Sequence, residues 1–286
     1  MNVKGTFATR ELGLAQRVRL NNGVGMPWLG LGVFRMENDA ETERVALEAI
    51  ASGYRSIDTA ALYENERGVG AAVRNSGVAR EDLFVTSKVW NPDIRADRVE
   101  AAFEESMERL GLDYVDLYLL HWPIEGKIVQ SWKALEKFYQ DGRIRAIGVS
   151  NHLERHIEEI LTACEIPPAV NQIEYHPYLQ SPVLKAFCEA KGIRLEAWSP
   201  FMHGGAILTD PILTEIGAMY GKTAAQVIVR WILQTGVATI PKSVRSERIV
   251  ENSDVFDFEL SDQDMSKIAL LERKERWGAD PDNFDF

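Results

Sequence analysis

Eight short apolar segments alternate with stretches of helical periodicity along the 286 residues of this chain. Most of the apolar segments are rich in strand-forming residues and are bounded by Gly, Asp or Pro, as buried parallel strands should be. We assign the strands to residues 28–34, 54–58, 83–89, 115–121, 144–150, 169–175, 193–199 and 237–243. Eight strands alternating with eight helices over about 250 residues predict an α/β fold, a (β/α)8 TIM barrel, with an open doubly wound sheet as the alternative.

The segments between these strands carry apolar residues at a spacing near the period of an α-helix. Residues 97–111 are the clearest case, with an apolar stripe formed by Val99, Phe103, Met107 and Leu110. The other helices are predicted at residues 40–52, 64–75, 129–140, 153–163, 182–191, 222–234 and 262–272. A helix after every strand is what a parallel sheet needs to return the chain to its starting edge.

Before the first strand, residues 17–20 and 24–26 flank an Asn-Asn-Gly turn, which predicts a short β-hairpin. We place this hairpin across the N-terminal mouth, where it closes the bottom of the barrel. No low-complexity tract, proline-rich linker or shift in composition marks a boundary within the chain. Residues 1–286 are therefore predicted to form a single domain.

The net charge of the chain is −11, which argues against nucleic acid as a partner, because phosphates require a basic surface. No apolar stretch is long enough for a secretory signal or a membrane span, so we expect a cytoplasmic protein with no membrane partner. The two cysteines, Cys164 and Cys188, are too few for a disulfide framework and favour a reducing compartment.

Four ionisable side chains lie where the predicted strands end. Asp58 ends the second strand and Tyr63 follows it, while Lys88 lies near the end of the third strand and His121 ends the fourth. In a barrel of this type the C-terminal strand ends and the loops after them carry the chemistry. We therefore expect these four side chains to meet at one mouth of the barrel.

The four groups form a set that can transfer a proton to a carbonyl oxygen. A tyrosine with a pKa of about 10 is a weak acid near neutrality, and a nearby ammonium lowers that pKa, so Lys88 is expected to make Tyr63 a general acid. Asp58 supplies the counter-charge that a buried lysine needs. His121 is positioned to orient the carbonyl.

Carbonyl reduction also needs a hydride, which no side chain delivers, so a nicotinamide or flavin cofactor is expected. The chain has no Rossmann fingerprint: residues 68–73 lack the third glycine and lie inside a helical pattern, where we interpret the small residues as packing sites. The cofactor is therefore predicted to bind across the barrel mouth, with its phosphates near the loops after strands seven and eight.

These motifs resemble those of the aldo-keto reductases, and most closely of the bacterial branch that includes 2,5-diketo-D-gluconate reductases. The resemblance extends from Val18 to about Asp282 and rests on residues 30–34, 58–66, 86–90, 110–123, 142–151, 170–177 and 240–252. It implies an NADP-dependent reductase that converts aldehydes or ketones to alcohols, with α-ketoaldehydes, keto-sugars or aromatic aldehydes as substrates. It also implies a monomer.

The resemblance implies a role for each site residue. Tyr63 is the proton donor, and Asp58, Lys88 and His121 complete a catalytic tetrad. The nicotinamide carboxamide is held by Ser150, Asn151 and Gln172. The family commonly stacks a tyrosine on the nicotinamide ring, whereas this chain has Trp198, which is followed by Ser199, Pro200 and Phe201 along the cofactor. The 2′-phosphate and adenine of NADPH are bound by Lys242, Ser243, Val244, Arg245, Arg248, Glu251 and Asn252.

The substrate pocket is predicted by position to have apolar walls, formed by Phe34, Leu62, Trp90 and Trp122, with His121 at its base. The loop at residues 203–205 is expected to fold over the cofactor pyrophosphate. Because the tail after residue 276 is short and family members use long C-terminal loops to select substrates, selectivity is expected to be broad or set elsewhere.

Two other functions were weighed against carbonyl reduction. A metal-dependent barrel hydrolase would need clustered histidines and acids, but the pair His152 and His156 lacks the glutamate of H-E-x-x-H, and we expect both to be surface histidines with no metal site. A barrel that binds NADPH as a sensor or scaffold would not need the intact tetrad.

Overall fold

The computed structural model describes residues 13–286, in which eight parallel strands form a single curled sheet. The eight strands follow one another in the sheet in the same order as in the chain, so every strand lies beside its neighbour in the chain. Backbone hydrogen bonds from Gly30 to Thr239 (2.9 Å) and from Thr239 to Trp28 (2.9 Å) join the two outer strands. The sheet therefore closes as a (β/α)8 barrel, as predicted, and the open doubly wound sheet is excluded.

Seven of the eight barrel strands are shorter than the apolar segments that predicted them, and the strand at residues 144–150 matches its segment. The hairpin strands are β1 (Arg17–Arg19) and β2 (Gly25–Pro27), and the barrel strands are β3 (Leu31–Gly32), β4 (Ser56–Asp58), β5 (Phe84–Val89), β6 (Val115–Leu120), β7 (Ile144–Ser150), β8 (Val170–Glu174), β9 (Arg194–Trp198) and β10 (Ala238–Thr239). The first and last barrel strands have two residues each, because the chain leaves the sheet at the point where the barrel closes.

The hairpin closes the bottom of the barrel, as predicted. Its turn docks against residues that precede barrel strands or begin them: Asn21 donates to the carbonyl of Pro168 (2.8 Å) and Asn22 to that of Arg145 (2.9 Å). Gly23 lies in this turn with a φ of +89°, a conformation that favours glycine. The functional residues therefore lie at the opposite, open mouth.

The described residues contain eleven α-helices, three more than predicted. They are α1 (Asp39–Ala51), α2 (Glu66–Asn75), α3 (Asn91–Arg95), α4 (Val99–Leu110), α5 (Ile128–Gln140), α6 (Glu154–Ala163), α7 (Pro182–Ala190), α8 (Pro211–Tyr220), α9 (Ala224–Gln234), α10 (Ser246–Ser253) and α11 (Asp262–Ala269). Helices α3, α8 and α10 were not predicted. Single 3-10 turns cover Ala61–Tyr63, Arg80–Asp82, Met202–Gly204 and Ala206–Thr209.

The small residues at 68–73 are packing sites, as the sequence predicted. Helix α2 lies so close to its neighbours that a Cβ added at Gly68 would come 2.4 Å from the carbonyl oxygen of Asp39. A Cβ at Gly70 would come 1.8 Å from the carbonyl oxygen of Leu110, at the end of α4. These glycines set the distance between helices and do not bind a dinucleotide.

One hydrophobic core includes residues from Val18 in the hairpin to Ile268 in α11. The prediction of a single domain at residues 1–286 includes residues 1–12, which lie outside the described residues, and it stays a prediction. Between residues 13 and 286, no helix is both long and apolar enough to cross a membrane.

Candidate active site

The four ionisable residues of the predicted tetrad lie at the open mouth of the barrel. Asp58 is the last residue of β4, Lys88 is the last but one of β5, and His121 follows β6 directly. Tyr63 ends the 3-10 turn that follows β4. Because parallel neighbouring strands end at the same edge, the sheet brings these groups together.

Lys88 is fully buried and makes three contacts at this mouth. Its Nζ lies 2.6 Å from Asp58 Oδ1, 2.9 Å from the carbonyl oxygen of Thr59 and 3.4 Å from the hydroxyl of Tyr63. Burial disfavours the ammonium charge, but Asp58 and Tyr63 outweigh it and raise the pKa of Lys88 above its ordinary value. The lysine is therefore charged, and one of its contacts is the phenol.

Tyr63 departs from the sequence-based expectation in the direction of its pKa. Removal of the phenol from water raises the pKa of Tyr63 above its ordinary value and outweighs the opposing effect of Lys88. The expectation of a lowered pKa was wrong, because it considered Lys88 and left out burial, which has the larger effect. At neutral pH the hydroxyl keeps its proton, and Lys88 stabilises the phenolate that remains when the proton leaves.

His121 lies beside Tyr63 and is neutral. Burial, and then the charge of Lys88, hold the pKa of His121 well below its ordinary value of 6.5. Its ring lies 5.9 Å from that of Tyr63 and 5.1 Å from that of Trp90, edge-on in both cases. Its Nδ1 is buried and has no hydrogen-bond partner among the described residues. A neutral imidazole here can donate a hydrogen bond to an oxygen that Tyr63 also contacts.

Ser150 and Asn151 lie at the end of β7, where they hold each other in place. Ser150 donates to the carbonyl oxygen of Gln172 (3.0 Å) and accepts from Asn151 Nδ2 (3.1 Å). Asn151 Nδ2 also donates to the carbonyl oxygen of His121 (3.1 Å), and its Oδ1 accepts from the indole N–H of Trp198 (2.9 Å). The indole N–H thus fixes which way the Asn151 amide faces.

Gln172 in β8 connects two buried carboxylates. Its Nε2 donates to Asp58 Oδ2 (2.7 Å) and to Glu196 Oε2 (2.7 Å). Glu196 is the register partner of Gln172 on β9 and is 2% exposed. The sequence analysis did not select Glu196. The available signal was the same as for Lys88, a charged residue inside an apolar strand segment.

One cavity of about 620 Å³ connects Asp58, Tyr63, His121, Ser150, Asn151 and Gln172 to the rest of the predicted site. Apart from Lys88, which lies beneath its floor, every residue predicted for catalysis, cofactor binding or the substrate pocket lines it. The structure therefore brings the predicted residues to one place. Further lining residues that the sequence analysis missed are Gly32, Leu208, Thr223, Ala224, Ala225, Ile240, Trp277, Gly278 and Phe286.

One end of the cavity carries cations. Lys242, Arg245 and Arg248 are exposed there, and none of them has an ion pair with another residue in the described range 13–286. Ser243 and Asn252 are buried beside them, and Glu251 accepts a hydrogen bond from Thr223 Oγ1 (2.7 Å). Three unpaired cations in an acidic chain form a place where a phosphate can bind by charge-assisted hydrogen bonds.

The other end of the cavity is aromatic and includes the C-terminal segment. Phe286 stacks on Trp90 (ring centroids 5.7 Å apart, 11° between planes) and meets Trp122 edge-on (5.1 Å). Phe34 packs on Tyr63 at 4.8 Å. The C-terminal segment thus forms one wall of the pocket although it is short, and the expectation that selectivity is broad or set elsewhere stays a prediction.

The same segment covers part of the mouth. Trp277 stacks on His203 of the loop after β9, with ring centroids 3.9 Å apart, and the guanidinium of Arg35 lies 5.4 Å from its ring. Glu174, buried at the end of β8, accepts from the backbone N–H groups of Trp277 (2.6 Å) and Gly278 (3.0 Å). We call the stack of Arg35, Trp277 and His203 the roof.

The histidine pair at residues 152 and 156 is buried, so the expectation of surface histidines was wrong. His152 Nδ1 bonds the carbonyl of Ser150 (2.8 Å), and His156 Nδ1 accepts from the backbone N–H of Leu153 (3.0 Å). Burial lowers the pKa of His152 to about 3 and that of His156 to about 4, so both are neutral. Helix α6 begins at Glu154, so the two do not share a helix face. Within residues 13–286 no group of three or more His, Cys, Asp or Glu side chains is placed to hold a metal ion.

Comparisons with known proteins agree with this geometry. A model of the aldo/keto reductase family matches residues 28–273. Glyoxal reductase of Bacillus subtilis (strain 168) is 56% identical over 273 residues, covering 96% of this chain and 99% of that protein. Methylglyoxal reductase of Escherichia coli (strain K12) is 42% identical, covering 93% and 97%. The crystal structure of an aldo-keto reductase from a Medee basin deep-sea metagenome library superposes with a TM-score of 0.91 at 39% identity, covering 94% of this chain and 100% of that one.

Proposed function

The chain belongs to the aldo/keto reductase family and is an oxidoreductase that acts on carbonyl groups, and from this premise we propose that it reduces small α-ketoaldehydes with NADPH, using Tyr63 as the proton donor. One observation carries the proposal: the Tyr63 hydroxyl lies 3.4 Å from the Nζ of a buried lysine that is itself 2.6 Å from Asp58, at the floor of the cavity. Monomeric NADPH-dependent enzymes are what the resemblance implies, and we retain the monomer as part of the proposal.

The residues around the cavity fit a nicotinamide dinucleotide. Ser150, Asn151 and Gln172 provide hydroxyl and amide groups that suit a carboxamide, and Trp198 lies beside them. At the far end, Lys242 and Arg248 suit a 2′-phosphate, the group that distinguishes NADPH from NADH. Bound there, the cofactor would supply the hydride that side chains lack. Pro200, Phe201 and Val244 line the cavity between these two ends.

The proton step follows from the electrostatics of Tyr63. A carbonyl oxygen at this position receives hydrogen bonds from the Tyr63 hydroxyl and from neutral His121. As negative charge develops on the carbonyl oxygen during reduction, the phenol O–H bond of Tyr63 would break and its proton would complete the alcohol. The Lys88 ammonium stabilises the phenolate, which solvent then reprotonates.

The aromatic end of the cavity supports uncharged substrates. Phe34, Trp90, Trp122 and Phe286 line it, and the cations lie at the opposite end. An apolar wall with two convergent polar groups, the Tyr63 hydroxyl and the His121 imidazole, favours binding of a compact neutral carbonyl compound over a charged one. The names of the two relatives, glyoxal reductase and methylglyoxal reductase, point to α-dicarbonyl compounds, so methylglyoxal is the first substrate to assay.

The test is the substitution Tyr63→Phe. Loss of a general acid lowers kcat by about 10²- to 10⁴-fold, whereas the Kd of NADPH, measured by fluorescence titration, should stay within about twofold. Steady-state rates with methylglyoxal, an aromatic aldehyde and a keto-sugar identify the substrate class, with the highest kcat/KM expected for methylglyoxal.

Tyr139→Phe is the matched control, because Tyr139 is a half-buried tyrosine of α5 that does not line the cavity. It should leave both quantities unchanged. Equal losses of turnover and NADPH binding in Tyr63→Phe would contradict the assigned role, and a wild-type protein that binds no NADPH would remove the proposed function altogether.

A further inference from the structure

Glu196 is a buried carboxylate without an ion pair among the described residues. It lies in β9, is 2% exposed, and its one hydrogen bond is to Gln172 Nε2 at 2.7 Å. Burial, and then the negative charge of Asp58, raise the pKa of Glu196 to about 7. Burying a carboxylate near a second one costs free energy, because the charge loses its hydration and is repelled by its neighbour. A buried carboxylate that is retained despite this cost is expected to have a purpose.

The geometry around Gln172 indicates that purpose. Its Nε2 carries two hydrogens, and Asp58 Oδ2 and Glu196 Oε2 accept one each at 2.7 Å. The nitrogen of the amide therefore faces both carboxyl groups. The amide oxygen Oε1 accepts no hydrogen bond from a residue in the described range, and Gln172 lines the cavity. The amide thus offers its acceptor to a bound molecule.

Two hydrogen-bond partners restrict the Gln172 amide more than one partner would. The last torsion of a glutamine side chain is soft and roughly two-fold, so a single hydrogen bond leaves the plane of the amide free to turn. The second carboxylate fixes that plane. Asp58 is also engaged by Lys88 through its other oxygen, so Glu196 is the one of the two whose described contacts are limited to Gln172.

We propose that Glu196 is a positioning residue that holds the Gln172 amide with Oε1 directed at the carboxamide NH2 group of the cofactor. The inference rests on the proposed function, because it requires a nicotinamide carboxamide beside Gln172. It deepens that function by assigning a buried residue, which does not touch the cofactor, to cofactor recognition.

The test compares NADP⁺ with its 3-acetylpyridine analogue, in which a methyl ketone replaces the carboxamide and the NH2 group is absent. Replacing Glu196 by Leu should weaken NADP⁺ binding on the order of tenfold, the usual effect of one misplaced hydrogen bond. The analogue should bind Glu196→Leu and wild type within about twofold of each other. Both Kd values come from quenching of tryptophan fluorescence.

A double-mutant cycle tests whether Glu196 acts through Gln172. In the background Gln172→Ala, the further change Glu196→Leu should leave NADP⁺ binding unchanged. Glu196→Gln should restore binding to within about twofold of wild type, because its side-chain oxygen can still accept from Gln172 Nε2. The control is Glu136→Gln, at a buried carboxylate of α5 that accepts from the backbone N–H groups of Glu165 and Ile166 and does not line the cavity.

The outcomes separate the inference from the function on which it rests. Equal weakening of NADP⁺ and the analogue in folded Glu196→Leu, or a persistent effect in the Gln172→Ala background, would overturn the positioning role while wild-type turnover stands. A wild type that binds neither ligand would overturn the proposed function first. Thermal melting confirms that each variant is folded. If Glu196→Leu does not fold, Glu196→Gln serves as the test variant. The Kd of Glu196→Gln for NADP⁺ must then match that of wild type.

Discussion

Arg248 illustrates how a single residue can distinguish between two cofactors. It is exposed, lines the cavity and has no ion pair with another described residue. Replacing Arg248 by Ala should therefore weaken NADPH binding by about 10- to 100-fold, the effect of losing a charge-assisted hydrogen bond, and change NADH binding less than about twofold. Titration with both nucleotides gives the ratio.

The matched control for Arg248 is Arg67→Ala, at an exposed arginine of α2 outside the cavity. It removes the same charge from the protein and should leave the affinity for both nucleotides unchanged. If Arg248→Ala weakens NADH as strongly as NADPH, the residue does not contact a 2′-phosphate.

Charged residues at the ends of apolar segments could be predicted as site residues from the sequence. A residue that positions another side chain could not. Lys88 and Asp58 stood out because charged side chains at the ends of apolar segments are rare. Glu196 carried a similar signal but lies inside its apolar segment and not at its end, and its partner Gln172 has no charge that would have suggested the pair. The raised pKa of Tyr63 depends on how deeply the pocket buries the phenol, which no spacing of residues specifies.

At the scale of elements, helix α2 can pack closely against α4 because Gly70 has no side chain. Replacing Gly70 by Ala would put a Cβ 1.8 Å from the backbone oxygen of Leu110. Backbone cannot move aside as a flexible side chain does, so the free energy of unfolding should fall by about 3 kcal/mol, at the upper end of overpacking effects. Urea denaturation measures the change.

Gly13→Ala is the control for Gly70→Ala, because a Cβ at Gly13 would meet nothing within 4 Å. It should alter the free energy of unfolding by less than about 0.5 kcal/mol. A loss at Gly70 no larger than that at Gly13 would show that the two helices can separate at little cost.

The three helices that the sequence analysis missed do not present a long amphipathic stretch, either because they are short or because they are apolar on most sides. Helix α3 has five residues, too few to display a period, and α10 has eight, of which Ile249 and Asn252 are the buried ones. Helix α8 is apolar over most of its circumference, and its N-cap Asp210 followed by Pro211 was the available signal. Long amphipathic helices such as α4 were predictable because one face is buried and the other is not.

At the scale of the whole molecule, the roof joins three distant parts of the chain. Arg35 comes from the loop after β3, His203 from the loop after β9, and Trp277 from the C-terminal segment. Replacing Trp277 by Ala removes both ring contacts, so NADPH should dissociate about tenfold faster, as the loss of stacking contacts of this size implies. Stopped-flow fluorescence measures the rate.

Trp277→Phe is the control for the roof, since a phenyl ring can still stack on His203. Its dissociation rate should stay close to that of wild type. Unchanged release from Trp277→Ala would mean that the roof does not retain the cofactor. The barrel itself could be predicted from eight alternating units, whereas the roof could not, because its three residues meet only after the barrel has closed.

The two carboxylate oxygens of Asp58 connect different parts of the molecule. One of its oxygens contacts the lysine beside the phenol, and the other contacts the amide in β8 on the way to Glu196. In the function proposed above, proton delivery and nucleotide recognition therefore share a single carboxylate. A substitution of this residue that changed one of these tasks would also disturb the other. Adaptation to a new carbonyl compound or a new dinucleotide is therefore expected to occur by substitutions in the pocket walls, with this aspartate retained.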